Sequence, residues 1–158
     1  MRPDTFYLRE VHGEALPNNR KMDEVSLEEN TRIAKAVMII SAADGQISET
    51  ERDYFIGMVS AFGAPPPQIE ELRKFDTKDA RLEDYIGPEL RPMARHFLYD
   101  AIRVSRIDGY HEKERAAVRK SARLIGIDES IVTAIEGLVE IEASVRDARV
   151  KFLSAAAS

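Results

Sequence analysis

The sequence predicts an all-α fold, a multihelical single domain built from a duplicated helical unit with two central buried helices. Three observations carry this. Apolar residues recur at helical spacing along most of the chain, Ser-x-x-Glu helix-start signatures precede two of these runs, and no alternating strand pattern survives anywhere. The 158 residues suit one domain that buries roughly 70% of its unfolded surface.

Residues 1–25 are polar and contain Pro3, Pro17 and Asn18-Asn19, with only Phe6, Tyr7, Leu8 and Val11 able to dock. They read as a loosely ordered N-terminal arm, and residues 26–154 as the domain. Ser26-Leu27-Glu28-Glu29 is a capping box followed by a run without Gly or Pro to Ala43. The last turns of that run are apolar nearly all round, which predicts a buried central helix. Ser48-Glu49-Thr50-Glu51 starts a second helix, with Phe55, Met58, Val59 and Phe62 on its core face, and Gly63 stops it. Pro65-Pro66-Pro67 resets the direction before a short helix from about Gln68 to Lys74. Thr77 to Tyr85 reads as another short helix and Gly87-Pro88 as a turn. The second buried helix is expected from Pro92 to Ser105. The next helix uses Val118, Ala122, Leu124 and Ile125 and stops at Gly126. The last begins near Asp128 and presents Ile131, Val132, Ile135, Leu138 and Val139 as a stripe. Its continuation from Val145 to Leu153 is long and charged enough to project or to wrap the first half, and the Ser-Ala-Ala-Ala-Ser end is expected to fray.

A repeat orders these elements. Ile33 to Gly45 aligns with Phe97 to Gly109 at a constant shift of 64 positions, with Ser41 matching Ser105 and Asp44-Gly45 matching Asp108-Gly109. Beyond the Asp-Gly the shift becomes 63, aligning Glu51-Arg52 with Glu114-Arg115 and Phe62-Gly63 with Ile125-Gly126. Two halves, about 26–75 and 88–140, therefore share one globule, the simplest product of an ancient duplication.

Composition removes several function classes. There is no cysteine, so disulfides, thiolate zinc sites and thiol catalysis are excluded. A net charge of −5 argues against indiscriminate nucleic-acid binding. No apolar run approaches the roughly 18 residues of a membrane span, and the opening Met1-Arg2-Pro3-Asp4 lacks a basic segment followed by an apolar one. A cytoplasmic location without membrane insertion is expected.

The two Asp-Gly loops are the only motif. Gly45, Ile47 and Glu51 fall at positions 6, 8 and 12 of an EF-hand loop. The backward count removes that reading, because positions 1 and 3 would be Ile40 and Ala42. In the second loop Glu114 would stand at position 11 and Val104 at position 1. Turn chemistry accounts for much of the first loop: Gly45 ends one helix, Ser48 caps the next and Glu51 closes the box. It leaves a residue, namely the acid beside Gly in both copies together with the pairs Glu49/Glu51 and Glu112/Glu114. Such carboxylates with loop carbonyls suit a hard divalent cation, Mg²⁺ or Ca²⁺, and His111 would add a ligand suited to Zn²⁺.

Two helical halves, each with a hydrophobic helix ending in Asp-Gly and a Glu-Arg at the next helix start, resemble the tellurite-resistance TerB-like family. The matching stretches are Ala43-Asp44-Gly45-Gln46-Ile47-Ser48-Glu49-Thr50-Glu51-Arg52 and Asp108-Gly109-Tyr110-His111-Glu112-Lys113-Glu114-Arg115, within a similarity spanning about Leu27 to Glu140. The resemblance implies a duplicated four-helix unit with two central helices, a bacterial cytoplasmic protein linked to tellurite and other stress, and no established catalysis. It also implies Asp44, Glu51, Asp108 and Glu114 as metal-binding candidates, with the shortened second loop departing from the first.

The remaining constellations are weaker. His111-Glu112 lacks the second histidine, at i+4, of a zinc peptidase. His96 and Asp100, at i+4 on the second buried helix, read as a satisfied pair, and His12 lies in the arm. No nucleophile arrangement or Gly-rich phosphate loop is present. Arg115, Arg119 and Arg123 form an i, i+4, i+8 row that could grip phosphate, although a solvated face is its usual meaning. Tyr110 could anchor a protein partner or pack on its own loop. The expectation is a non-catalytic stress-response module that binds a protein partner and a divalent ion. The alternatives are a metal-dependent hydrolase using the paired acidic loops, and an anion- or nucleic-acid-binding adaptor using the arginine row.

Overall fold

Ser26 opens the first described helix, its Oγ accepting the Glu29 N–H at 3.1 Å. This computed structural model describes residues 26–154, and the expected arm (1–25) and the last four residues of the fraying end lie outside the described residues. Helix α1 (Leu27–Ser41) buries Ala34 and every residue from Ala36 to Ser41. That distribution requires neighbours on all sides. They are α2 (Glu49–Ala61), α3 (Pro66–Lys74), α4 (Ala94–Ser105), α5 (Glu112–Ile125) and a 3-10 turn at Leu82–Asp84, while α6 (Glu129–Ser154) packs on α4 and α5, and a second 3-10 turn at Pro88–Met93 leads into α4. No strand occurs among the described residues, so the fold is all-α as the periodicity required.

Helices α1 and α4 form the centre. They contact each other, α4 also touches α2, α5 and α6, and Leu98, Ala101, Ile102 and Val104 are fully buried on it. Burying each of Leu98, Ile102 and Val104 contributes about 1.5–3 kcal/mol by removing it from water. No helix among the described residues is long and apolar enough to cross a membrane.

Four expectations need correction. Helix α4 starts at Ala94, because Pro92 has no N–H to give to an α-helical bond and the stretch Pro88–Met93 winds as a 3-10 turn. Helix α3 starts two residues earlier than Gln68, since Pro66 and Pro67 sit at first-turn positions where a missing N–H costs nothing. Thr77 to Tyr85 is no continuous helix: Asp76 Oδ1 takes the Lys78 N–H at 2.9 Å and turns the chain. Leu138 leaves the stripe and is 48% exposed. The reason is its face, since Val139, one residue further along, is buried with Val132 and Ile135 while Leu138 turns away from them; α6 is also long, with 26 residues, about 39 Å, whereas α4 has 12, about 18 Å. The far half of α6 is pinned near its base by Arg106 on Glu140 and by the Tyr99 hydroxyl on Glu142 at 2.6 Å.

Candidate functional site: the convergent acidic loops

Each acidic loop is set by a helix end and a helix start. Gly45 (φ +156°) and Gly109 (φ +122°) take backbone angles that a side chain disfavours, turning the chain after α1 and after α4. At the start of α2, Ser48 Oγ accepts the Glu51 N–H at 3.2 Å and Glu51 Oε2 accepts the Ser48 N–H at 2.9 Å, a complete capping box. At the start of α5, Glu114 Oε2 accepts the His111 N–H at 2.7 Å.

The two loops come together because α1 and α4 end side by side. Ser41 Oγ and Ser105 Oγ, matched in the repeat, lie 3.4 Å apart in the core. Above them sit the capping carboxylates, Glu51 at 2% exposure and Glu114 at 1%. Burial pushes the Glu114 carboxyl up to about 7, against the His111 N–H and the Ser105 hydroxyl that hold it down, and the negative charges of Glu51 and Asp44 raise it further. Burial likewise raises Glu51, opposed by its bonds to Ser48 and assisted by Asp108 and Asp44. Glu51 Oε1 is buried without a hydrogen-bond partner.

The four predicted acidic residues are thus linked electrostatically through Glu51, but in two layers. Glu51 and Glu114 lie inside, while Asp44 and Asp108 are exposed at the rim. Glu49 and Glu112 point away into solvent on the first turns. His111 Nε2 stands 3.9 Å from Asp44 Oδ2, bridging the loops across the rim. Among the described residues no three His, Asp or Glu side chains are arranged to hold a metal ion as they stand.

Ser41 and Ser105 were legible as a matched pair, but not as hydroxyls serving a buried carboxylate. Glu136 had no signal beyond being an acid beside an apolar stripe. It accepts two hydrogen bonds from Arg119, at 3.0 and 3.1 Å, and one from the Tyr110 hydroxyl at 3.0 Å. Arg115 lies over the Tyr110 ring at 4.2 Å from its centroid. Two of the three arginines in the predicted row are therefore spent on tying the second loop to α6, and Tyr110 packs rather than projects. His96 Nε2 and Asp100 Oδ2, 3.6 Å apart, form the expected i, i+4 pair.

Two large cavities lie elsewhere. One, about 540 Å³, opens between α4 and the far half of α6, past Tyr99, Arg103 and Arg146. The other, about 410 Å³, is an apolar groove bounded by Ile33, Phe55, Phe62 and Phe97. None of the four loop carboxylates lines either one, so the hydrolase alternative gains convergent acids but no substrate cavity from them.

No family model matches the chain, and no curated protein does. Among solved structures, the crystal structure of a tellurite resistance protein from Nostoc punctiforme is similar, with 32% identity and a TM-score of 0.77. The alignment covers 98% of this chain and 94% of that one. With that identity over nearly the whole of both chains, the chain belongs to the tellurite-resistance TerB-like family.

Proposed function

We propose that this chain is a non-catalytic TerB-like module of the tellurite-related stress response, working by binding, with a divalent cation at the convergent loops and a protein partner responding to it. The observation that carries the reading is Glu51 Oε1, a buried carboxylate oxygen without a hydrogen bond, beside a second buried carboxylate whose proton affinity is raised. A buried unsatisfied acceptor costs about 1–3 kcal/mol, and a cation that takes it up recovers that cost. The donor set is oxygen from Glu51, Glu114, Asp44 and Asp108, which suits Mg²⁺ or Ca²⁺; His111 is the nitrogen that Zn²⁺ would call upon. The fit is chemical and incomplete in geometry. The exposed Asp44 and Asp108 side chains would have to rotate inward to complete coordination, which makes the site a responsive one rather than a rigid cage.

Calorimetric titration with Ca²⁺, Mg²⁺, Mn²⁺ and Zn²⁺ tests this on the parent and on an Asp44→Asn/Asp108→Asn variant. Heat and a raised melting temperature in the parent, both lost in the variant, are expected. Absence of heat and of any melting shift in the parent would sink the metal reading. The Arg115/Arg119/Arg123 adaptor stands behind it, since Glu136 already neutralises two of its members.

A further inference from the structure

The far half of α6 leaves its apolar residues in water in an ordered pattern. Leu138, Ile141, Val145, Ala148 and Phe152 follow one another at intervals of three, four, three and four residues. That is the a and d spacing of a coiled-coil seam. All five are exposed, Ile141 by 63%, Val145 by 52% and Phe152 by 82%. Val132, Ile135 and Val139 are buried on the neighbouring side of α6, where Glu142 receives the Tyr99 hydroxyl, and Ile141, Val145 and Arg149 border the cleft of about 540 Å³ between α4 and α6. A contiguous apolar stripe of this length rarely stays uncovered on a soluble protein.

The charges flanking the stripe identify its cover. Glu142 and Arg149 hold equivalent positions one heptad apart on the same edge of the seam. Arg149 makes no ion pair among the described residues, and only Oε2 of Glu142 receives Tyr99. Consider a second copy laid antiparallel, so that Val145 meets Ala148 and Ile141 meets Phe152. Each Glu142 then lies beside an Arg149 of the other copy, twice around a two-fold axis. A parallel pairing would instead set Glu142 against Gly137 and Arg149 against Ser144, with no opposite charges meeting. The stripe is complementary to itself in one direction only.

We propose that two copies of this chain associate through an antiparallel pairing of the α6 stripe, Leu138 to Phe152. The helix is already formed on the body, so association does not have to nucleate it. Two such segments bury roughly 1,000 Å², near the lower end for specific interfaces, and the dimer should dissociate in the micromolar range.

The test is sedimentation equilibrium of the full chain from about 1 to 200 µM. The parent is expected to pass from monomer to dimer, and I141E/V145E to stay monomeric with an unchanged melting temperature at low concentration. E142R alone and R149E alone should each weaken the dimer at least tenfold, and an equimolar mixture of the two should form the heterodimer. A parent that stays monomeric throughout overturns the proposal, as does a dimer indifferent to I141E/V145E. A monomer whose melting temperature drops in I141E/V145E would put another segment of the same chain on the stripe, and that too overturns it. Failure of the single variants to recombine would refute the antiparallel register.

Discussion

The two Asp-Gly loops carry the same capping device and finish with differently satisfied carboxylates. In the second, Glu114 closes onto the His111 N–H and also receives the Ser105 hydroxyl. In the first, Glu51 closes onto the Ser48 N–H and its other oxygen receives nothing. The Ser41 and Ser105 hydroxyls stand 3.4 Å from one another, and neither supplies Glu51 Oε1 with a hydrogen bond. The second loop is also fastened from outside, by Tyr110 and Arg115 through Glu136 to α6, while the corresponding Gln46 of the first is exposed. A near-symmetric pair of loops thereby holds one carboxylate that is finished and one that remains available.

The largest expected effect concerns the charge of that pair. Glu114 has a folded pKa of about 7, raised above its ordinary 4.5. A raised carboxyl favours the folded state below the ordinary value, and that advantage is lost as pH rises through the folded value. In chelator, denaturant unfolding should therefore show stability falling by about 2–3 kcal/mol from pH 5 to pH 8. Glu114→Gln keeps the capping geometry and should remove most of the slope; a variant as pH-dependent as the parent would contradict the assignment.

Removing the hydroxyls tests the asymmetry directly. Ser105→Ala takes a charge-assisted hydrogen bond from Glu114 and should cost about 2 kcal/mol at pH 8. Ser41→Ala loses a neutral bond and should cost less than half as much. Equal losses would mean that the two serines serve the acids alike.

At the caps, Ser48→Ala should cost about 1 kcal/mol. His111→Ala should cost less, because the bond that closes its box comes from the backbone. Thermal melts of the two variants at pH 7 decide the order. The smallest effect is expected from Tyr110→Phe, about 0.5–1 kcal/mol, since Arg119 keeps its two hydrogen bonds to Glu136. Its sharper readout is amide exchange: the Gly109–Glu112 amides should lose protection toward the rates of the first loop. Unchanged protection would show that Tyr110 does not fasten its loop.

Much of the fold could be read from the chain because local chemistry specifies it. Ser48-x-x-Glu51 states a helix start in four residues, and the all-round apolar end of α1 states a central position. The acid candidates were legible by repetition at a shift of 64, which is also why Ser41 and Ser105 could be matched. What each acid does was not legible. Glu51 and Asp44 look equally exposed in a sequence, yet one is buried and the other at the rim. A capping carboxylate turns back over its own helix, and only the neighbouring helix end decides whether water reaches it.

The sequence by itself determined an all-α chain, its capping boxes, its central helices and its membership of a recognisable pattern, all consequences of interactions within a few residues. Tertiary structure alone decided that the loops converge, that Glu136 occupies two of the arginines, and that Leu138 is exposed while Val139 is not. Those outcomes depend on which helix ends meet and which face each helix turns to its neighbours, relations that no local stretch of sequence encodes.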